Sequence, residues 1–268
     1  MHPHLSHTIL IIMTITLTLD TATTSVLAQD NEQYLTCNNT RLNCGDKFQN
    51  VGYPFWGPDR PAYCGHPQFE LNCSGEAPQI MIGSISYRVL EIIPDKLNLT
   101  VVRTDYWNTP CSDDRRNDTF DPDFFSYGSD TQNLTLYYGC PAITTGLPSQ
   151  FSCPGDRTGL TNYFATEFMR RANGNLPSCG QGVAVRIFDS EAGNLETVNL
   201  PRDQLIDAIN SGFWVEWNAS NSLCEECTRS GGLCGSDNTT NRAFACYCKD
   251  RPYGASCGSD SAPSTTGS

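Results

Sequence analysis

The residue types that most often carry catalysis are sparse in this sequence. Three of its 4 histidines fall within the first seven residues, and the fourth, His66, lies between Gly65 and Pro67. Ser-His-Asp and Cys-His nucleophiles and histidine-ligated metals need a histidine together with a second polar partner. These chemistries are therefore disfavoured, and the neighbours of His66 indicate a turn residue in a disulfide-pinned loop.

Two pairs of carboxylates remain as candidates for acid–base chemistry. Asp113 is adjacent to Asp114, and Asp121 is two residues before Asp123. Glycoside hydrolysis needs two carboxyl groups that are about 5–10 Å apart and flank the scissile bond. Both pairs lie in polar loop sequence, where a solvated surface is the simpler interpretation. A glycosidase is therefore kept only as an alternative.

Aromatic residues give the stronger indication of a binding function. Sugar rings present apolar C–H faces that stack on Trp and Tyr, while their hydroxyls need polar neighbours. The predicted polysaccharide-binding set combines clustered aromatics, one later Trp and one arginine: Tyr53, Phe55, Trp56, Tyr63, Arg88 and Trp107. Core packing is the competing interpretation for Tyr53 and Phe55. Trp56, which precedes Gly57-Pro58, is the one most expected to be exposed.

Arginines could pair with the carboxylates of an acidic sugar, because the guanidinium fork grips a carboxylate bidentately. The candidates are Arg88, Arg103, Arg115, Arg116, Arg170 and Arg171. A net charge of -12 opposes an anionic ligand at long range. A Debye length of about 8 Å at physiological salt nevertheless lets a local patch dominate at contact. No cofactor is predicted, and no loop has the spacing of an EF-hand calcium site.

The sequence contains 14 cysteines, an even number that indicates an oxidising compartment and a disulfide framework. All of them are predicted to be bonded: Cys37, Cys44, Cys64, Cys73, Cys111, Cys140, Cys153, Cys179, Cys224, Cys227, Cys234, Cys246, Cys248 and Cys257. Their spacing leaves the connectivity open. A four-thiolate zinc site in the last cluster is the weaker alternative.

The N-terminus and the sequons agree with secretion. Residues 1–28 are predicted to be a signal peptide, with an apolar run at 8–19 and small residues before a cleavage site at Gln29. Seven N-glycosylation sequons follow, at Asn38, Asn72, Asn98, Asn117, Asn133, Asn218 and Asn238. The acidic balance argues against nucleic-acid binding, and no transmembrane segment is predicted after the signal.

The elements that must position these residues are mainly strands. Alternation over 85–93 and 97–101, with turn residues between them, predicts an antiparallel hairpin. Leu160, Phe164 and Phe168 have helical spacing, and 202–210 is predicted to be a second short helix. The expected fold is β-rich, with short helices and disulfide-stapled extracellular modules.

The predicted organisation after the signal peptide has two modules and a tail. The first module covers 31–140, the second covers 141–258, and 259–268 is expected to be a disordered tail because it has no core-forming residues.

The cysteine motifs also carry a resemblance. Cys44-Gly45, YPFWG at 53–57 and CGHPQFELNC at 64–73 resemble the galacturonan-binding domain of plant wall-associated receptor kinases, in the wording typical of the leaf-rust-resistance-locus type. The run GFWVEW at 212–217 and the cysteines from Cys224 onwards are similar to the companion C-terminal module of that family.

The resemblance implies a non-catalytic ectodomain that binds pectin or galacturonan in the cell wall. Members of the family continue into a transmembrane helix and a kinase, whereas this sequence stops at Ser268 without a kinase signature. It is therefore expected to be a secreted form, or a plasma-membrane ectodomain if the gene continues. A module that binds a peptide or a co-receptor protein, and an apoplastic glycosidase, are the alternatives.

Overall fold

The computed structural model describes residues 31–141, 149–172, 179–196, 202–237 and 242–258. The predicted signal peptide, the predicted tail and the sequon at Asn238 lie outside the described residues. Within the described ranges the strands pair antiparallel in four sheets. This confirms the β-rich, disulfide-stapled fold class.

The elements are short. The strands are β1 (Leu42–Cys44), β2 (Phe48–Val51), β3 (Leu71–Asn72), β4 (Gln79–Ile82), β5 (Ile85–Ile93), β6 (Asn98–Arg103), β7 (Phe125–Tyr127), β8 (Thr131–Pro141), β9 (Gln150–Phe151), β10 (Leu160–Ala165), β11 (Gln181–Phe188), β12 (Phe213–Trp217), β13 (Leu233–Ser236), β14 (Phe244–Tyr247) and β15 (Pro252–Tyr253). The helices are α1 (Glu32–Asn39), α2 (Glu167–Ala172), α3 (Asp189–Leu195), α4 (Arg202–Asn210) and α5 (Asn221–Arg229).

The largest sheet has six strands in the order β3-β4-β5-β6-β12-β7. Its centre is the predicted hairpin, in which Val89 lies opposite Val101 and a helical turn at Pro94–Lys96 joins β5 to β6. Along β5 the odd-numbered residues up to Val89 are buried, and Ser86 and Arg88 alternate with them on the other face. The period of two that predicted the hairpin therefore also defines an outer face of the sheet.

A second sheet has four strands in the order β11-β8-β10-β9. The helix predicted from Leu160, Phe164 and Phe168 is wrong over its first part, because Leu160–Ala165 is strand β10, paired with β8 and β9. Only Glu167–Ala172 is helical, and it leaves Phe168 62% exposed. Pairing with β8 and β9, the two strands that precede it in the chain, outweighs the local spacing.

The predicted module boundary at 140/141 does not separate the sheets. Strand β8, from the predicted first module, lies in the second sheet, and β12, from the predicted second module, lies between β6 and β7 of the first sheet. The two sheets are therefore interleaved in sequence, and the chain returns to the first sheet after building the second.

The two sheets pack around strand β6, every residue of which is buried. Leu99 and Val101 belong to the core of the first sheet, whereas Val102 points into the core of the second. The predicted helix α4 closes that second core with Leu205 and Ile209. Strand β6 therefore contributes side chains to both cores.

All fourteen cysteines are bonded, which confirms the predicted disulfide framework and settles its connectivity. The bonds are Cys37–Cys64, Cys44–Cys73, Cys111–Cys153, Cys140–Cys179, Cys224–Cys234, Cys227–Cys246 and Cys248–Cys257. The sulfurs of Cys246, Cys248 and Cys257 lie within 4.8 Å of one another. Because each is in a disulfide, none is a free thiolate, and the zinc alternative does not fit.

Candidate functional site: an open groove on the outer face of the first sheet

A groove of about 630 Å³ runs over the outer face of strands β3, β4 and β5. Trp56 and Pro67 line one side of it, while Gln79, Met81 and Ser86 form part of its floor. Met81 is 53% exposed, which is unusual for an apolar side chain on a strand. The floor therefore offers apolar and hydrogen-bonding surface side by side, as recognition of a sugar requires.

Trp56 is held in place by its backbone and by its indole nitrogen. Its backbone amide donates to the carbonyl of Phe69 at 3.3 Å, and its carbonyl accepts from Leu71 at 2.9 Å. The indole Nε1 donates to the carbonyl of His66 at 2.9 Å. At Gly65 a Cβ would lie 2.7 Å from the indole Cδ1. Trp56 is therefore a fixed, half-buried platform whose ring, rather than its N–H, is available to a ligand.

A smaller hollow of about 220 Å³ adjoins the groove and contains Arg88 and Trp107. The Arg88 guanidinium lies 4.4 Å from the centre of the Trp107 ring. An Arg88 nitrogen is also 3.7 Å from a carboxylate oxygen of Glu76, whose side chain is 89% exposed. Arg88 is thus oriented by an aromatic face and pairs with a solvated glutamate.

The other three predicted binding aromatics pack against other parts of the protein. Phe55 is only 2% exposed, which leaves no ring face for a ligand, so this residue is not part of an open site. The Tyr53 hydroxyl donates to the carbonyl of Ala219, and burial raises the pKa of Tyr53. Tyr63 packs edge-on against Tyr247, at 6.0 Å between ring centres.

These contacts have a common cause. The stretch that carries Tyr53 and Tyr63 packs against the C-terminal cysteine cluster, where Tyr53 meets Phe244 and Tyr63 meets Tyr247. Their proximity in sequence grouped these aromatics with Trp56. The disulfide Cys37–Cys64 and the contacts with the C-terminal cysteine cluster instead direct them away from the groove. The structure therefore brings together Trp56, Arg88 and Trp107 along one face, and leaves out the other three.

The remaining candidate cations differ in accessibility. Arg103 is 1% exposed and binds both carboxylate oxygens of Asp105, at 3.1 and 2.8 Å, so it is not available to a ligand. Arg116 is exposed and pairs with Asp114. Arg115 lies 4.0 Å from the centre of the Tyr138 ring, facing the second sheet.

Arg170 and Arg171 lie on α2, outside the groove. Both are exposed, and Arg171 pairs with Glu167 at 3.0 Å.

The carboxylate pairs show no arrangement suited to hydrolysis. Hydrogen bonds from Arg116 lower the pKa of Asp114, the opposite of what a general acid needs. Asp121 accepts the backbone amide of Asp123 at 3.1 Å, which makes a local turn. Neither pair lines the groove.

His66 has the structural role that its neighbours in sequence indicate. Its Nδ1 accepts from the amide of Gln68 at 3.3 Å, and its ring packs against Phe69 and Phe124. Desolvation lowers the pKa of His66 to about 4. The ring is therefore neutral at neutral pH and supports the wall of the groove from behind.

Sequence reasoning did not identify most of the residues that line the groove. Gln68, Glu70, Gln79, Met81 and Ser86 line it. Strand alternation could have identified one of them, because Ser86 precedes Arg88 by two residues and must share its face in a strand. The residues of β3 and β4 could be added only once the register Gln79↔Arg88 was known.

The sequons are placed unequally. Asn38, Asn72, Asn117 and Asn218 are exposed, and Asn133 is half-buried. Asn98 is 8% exposed, at the start of β6. Asn72 lies in the lining of the groove itself, and its side chain accepts from the backbone and the hydroxyl of Ser74.

The fold is that of a cysteine-rich β protein with an open groove on the outer face of its largest sheet. Two family models match the chain: the wall-associated receptor kinase galacturonan-binding domain over residues 37–103, and the wall-associated receptor kinase C-terminal domain over 152–251. Neither is a kinase-domain model. The chain belongs to this family of wall-associated receptor kinase ectodomains, which confirms the resemblance carried by its cysteine motifs.

Curated relatives from Arabidopsis thaliana agree. Leaf rust 10 disease-resistance locus receptor-like protein kinase-like 2.1 is 31% identical over 242 residues, which is 87% of this chain and 36% of the relative. The 2.8 member is 31% identical over 84% of this chain and 25% of the relative. The chain thus spans about a third or less of the length of these relatives. No solved structure matches the chain significantly.

The part of the chain that the structure describes contains no helix long and apolar enough to cross a membrane.

Proposed function

We propose that this protein is a non-catalytic, extracellular binding module for de-esterified galacturonan, and that the polymer lies along the outer face of β4 and β5. The observation that carries the proposal is the coincidence of the matched galacturonan-binding region, residues 37–103, with the groove. Except for Trp107, every residue of the groove and of the adjoining hollow falls inside that region.

The geometry supports an elongated ligand. Trp56 lies in the groove, and Arg88 with Trp107 lies in the adjoining hollow. Gln79 lines the groove, Arg88 lines the hollow, and the two residues are opposite one another in the β4–β5 ladder, so the groove and the hollow are neighbours. A polymer can therefore place one ring on Trp56 and a carboxylate on Arg88 at the same time.

Each contact is weak by itself. Stacking of a ring adds about 0.5–1.5 kcal/mol beyond its area burial. An exposed charge pair adds about 1 kcal/mol or less. Useful affinity must come from several contacts made along one chain, which favours polymers over single sugars.

The test measures binding of galacturonan oligomers of increasing length to Trp56→Ala and Arg88→Ala variants. Trp56→Ala should lower affinity about three- to ten-fold, in keeping with one lost stacking contact, and Arg88→Ala should lower it by up to about five-fold, in keeping with one lost charge contact. Arg170→Ala, which removes an exposed arginine outside the groove, is the matched control. Circular dichroism checks that the Trp56 variant remains folded, since its indole contacts the backbone of His66.

Two results would reject this site. One is unchanged affinity in both groove variants, and the other is equal affinity for galacturonic acid and for long oligomers. Fully methyl-esterified oligomers should bind more weakly than free-acid oligomers, because they cannot pair with Arg88. A glycan array in which no acidic polysaccharide binds would favour the alternative of a peptide or co-receptor module.

A further inference from the structure

A second cleft, of about 480 Å³, lies at one end of the four-stranded sheet. It is lined by Arg115, Arg157, Asp156, Asn162, Leu160 and Gln181. We call it the C-terminal cleft, since all but one of these residues belong to the second sheet or its loops. Both of its walls are fastened by disulfides, Cys111–Cys153 on one side and Cys140–Cys179 on the other.

The floor of the C-terminal cleft is rigid and polar. Asn162 is 1% exposed, accepts from the amide of Gly139 at 3.0 Å and donates to Asp156 at 2.8 Å. The same Asp156 oxygen accepts from the amide of Cys153 at 2.6 Å. This network fixes the loop that carries Arg157, so the cleft is already formed without a ligand.

Two guanidinium groups face this cleft without a balancing ion pair. Arg115 lies over the Tyr138 ring, and its Nε donates to the carbonyl of Ser112 at 3.2 Å. Arg157 is exposed at the cleft. Among the residues that the structure describes, neither guanidinium has a carboxylate within ion-pair distance. In a chain of net charge -12, such a pair of cations favours a carboxylate ligand.

One loop connects the C-terminal cleft to the groove. Arg116 donates to the Ser84 hydroxyl at 3.3 Å, in the turn beside Gly83, which lines the groove. Its neighbour Arg115 lines the cleft, and the Arg115 carbonyl accepts from Gln181 at 3.0 Å. Buried Arg103 holds this loop from below through the carbonyls of residues 114 and 116. Arg115 therefore lines the C-terminal cleft, and its neighbour Arg116 contacts the turn beside the groove.

We infer that the C-terminal cleft is a second subsite for an acidic saccharide, with Arg157 and Arg115 pairing with a uronate carboxylate. Asn162 and Gln181 provide polar groups for hydroxyls, and Leu160, 39% exposed, offers apolar surface to the sugar's C–H face. This inference rests on the proposed function of the groove, and it extends the binding path from the first sheet to the second. A polymer that engages both the groove and the C-terminal cleft gains from avidity.

The experiment compares Arg157→Ala with Arg170→Ala in the full chain, using free-acid galacturonan oligomers from the trimer upwards. Both variants remove one exposed arginine from the same half of the protein. Arg157→Ala should weaken binding of the longest oligomers by about five-fold, the size of one exposed charge contact. It should leave trigalacturonate binding, which the groove supports alone, within two-fold of wild type. Arg170→Ala should change neither.

The outcomes separate this inference from the proposed function. If Trp56→Ala weakens binding while Arg157→Ala matches wild type at every oligomer length, the cleft is not a subsite and the groove stands. If neither variant changes binding of any oligomer, the groove and the cleft both fail. Hydrogen exchange over 153–163 adds a second readout, since long oligomers should slow it. Slowing by a peptide with a free C-terminal carboxylate, but by no oligomer, would overturn the saccharide assignment.

Discussion

Gln79 and Arg88 lie directly opposite one another in the β4–β5 ladder, and each lines a different hollow of the outer face. This pairing makes the groove of Trp56 and the hollow of Trp107 neighbours on one surface. It also places the exposed carboxylate of Glu76 beside the arginine that a uronate would use. The local charge balance at this point should therefore tune the affinity for acidic sugars.

Glu76→Gln should raise the affinity for free-acid galacturonan by about two- to five-fold, because it removes the carboxylate that competes for Arg88. The measurement is a calorimetric titration at low and at physiological salt, and the gain should shrink as salt rises. Glu226→Gln, an equal charge change on helix α5, is the control. An equal gain in both variants would show a general charge effect rather than competition at Arg88.

Asn98 should carry no glycan in the folded protein. Its side chain is buried, and its amide nitrogen can donate to the carbonyls of Leu97 and Lys96 at 3.1 Å each, which leaves no room for a sugar. Glycopeptide mass spectrometry should find Asn98 unmodified and exposed Asn38 modified. Asn98→Gln should leave the glycan mass unchanged, whereas Asn38→Gln should lower it. An occupied Asn98 would contradict the buried position of β6.

Arg103→Ala should destabilise the fold by about 3 kcal/mol, the lower end of the range for breaking a buried ion pair, because the side chain of its partner Asp105 is 27% exposed. Arg103 is 1% exposed, binds Asp105, and holds the carbonyls of residues 114 and 116. Chemical denaturation measures the change in the free energy of unfolding. Arg170→Ala should stay within about 0.5 kcal/mol of wild type.

The Arg103→Ala variant also tests the loop that lies between the groove and the C-terminal cleft. If the loop at 114–116 loses its anchor, trypsin should cleave it faster in folded Arg103→Ala than in wild type. Equal cleavage would mean that Arg103 stabilises the core without positioning the loop.

Stability should fall as the pH falls from about 6.5 to about 4, in part because of His66. Burial lowers the pKa of folded His66 to about 4, below the ordinary value of 6.5 that it regains on unfolding. Between these values the unfolded chain binds the proton and the folded chain does not, so acid favours unfolding. The contribution of neutral His66 to the free energy of unfolding is complete above about pH 6.5 and is lost as the pH falls towards 4.

His66→Asn should flatten that part of the pH dependence. Asparagine can still accept the hydrogen bond from the Gln68 amide, so the turn is kept while the titrating ring is removed. The measurement is the free energy of unfolding at several pH values for both proteins. Parallel curves for wild type and variant would show that His66 is not responsible.

Local patterns were enough to predict the elements whose partners are close in sequence. The β5–β6 hairpin follows from alternating residues on both sides of Pro94–Lys96, and helix α4 follows from its own apolar spacing. The count and type of the cysteines predicted that all would be oxidised, because composition reports the compartment. The motifs around Cys44–Cys73 predicted the family because they lie within one short stretch of sequence.

Only the tertiary structure decided which of these residues meet. Strand β10 has helical spacing, but its backbone hydrogen bonds are made by β8 and β9. Strand β12 returns to the first sheet from far along the chain, so no local signal could place the boundary. Phe55 and Trp56 are neighbours in sequence, yet Phe55 lies in the core and Trp56 lines the groove. Sequence alone identifies candidates for a site, whereas long-range pairing decides which of them share a surface.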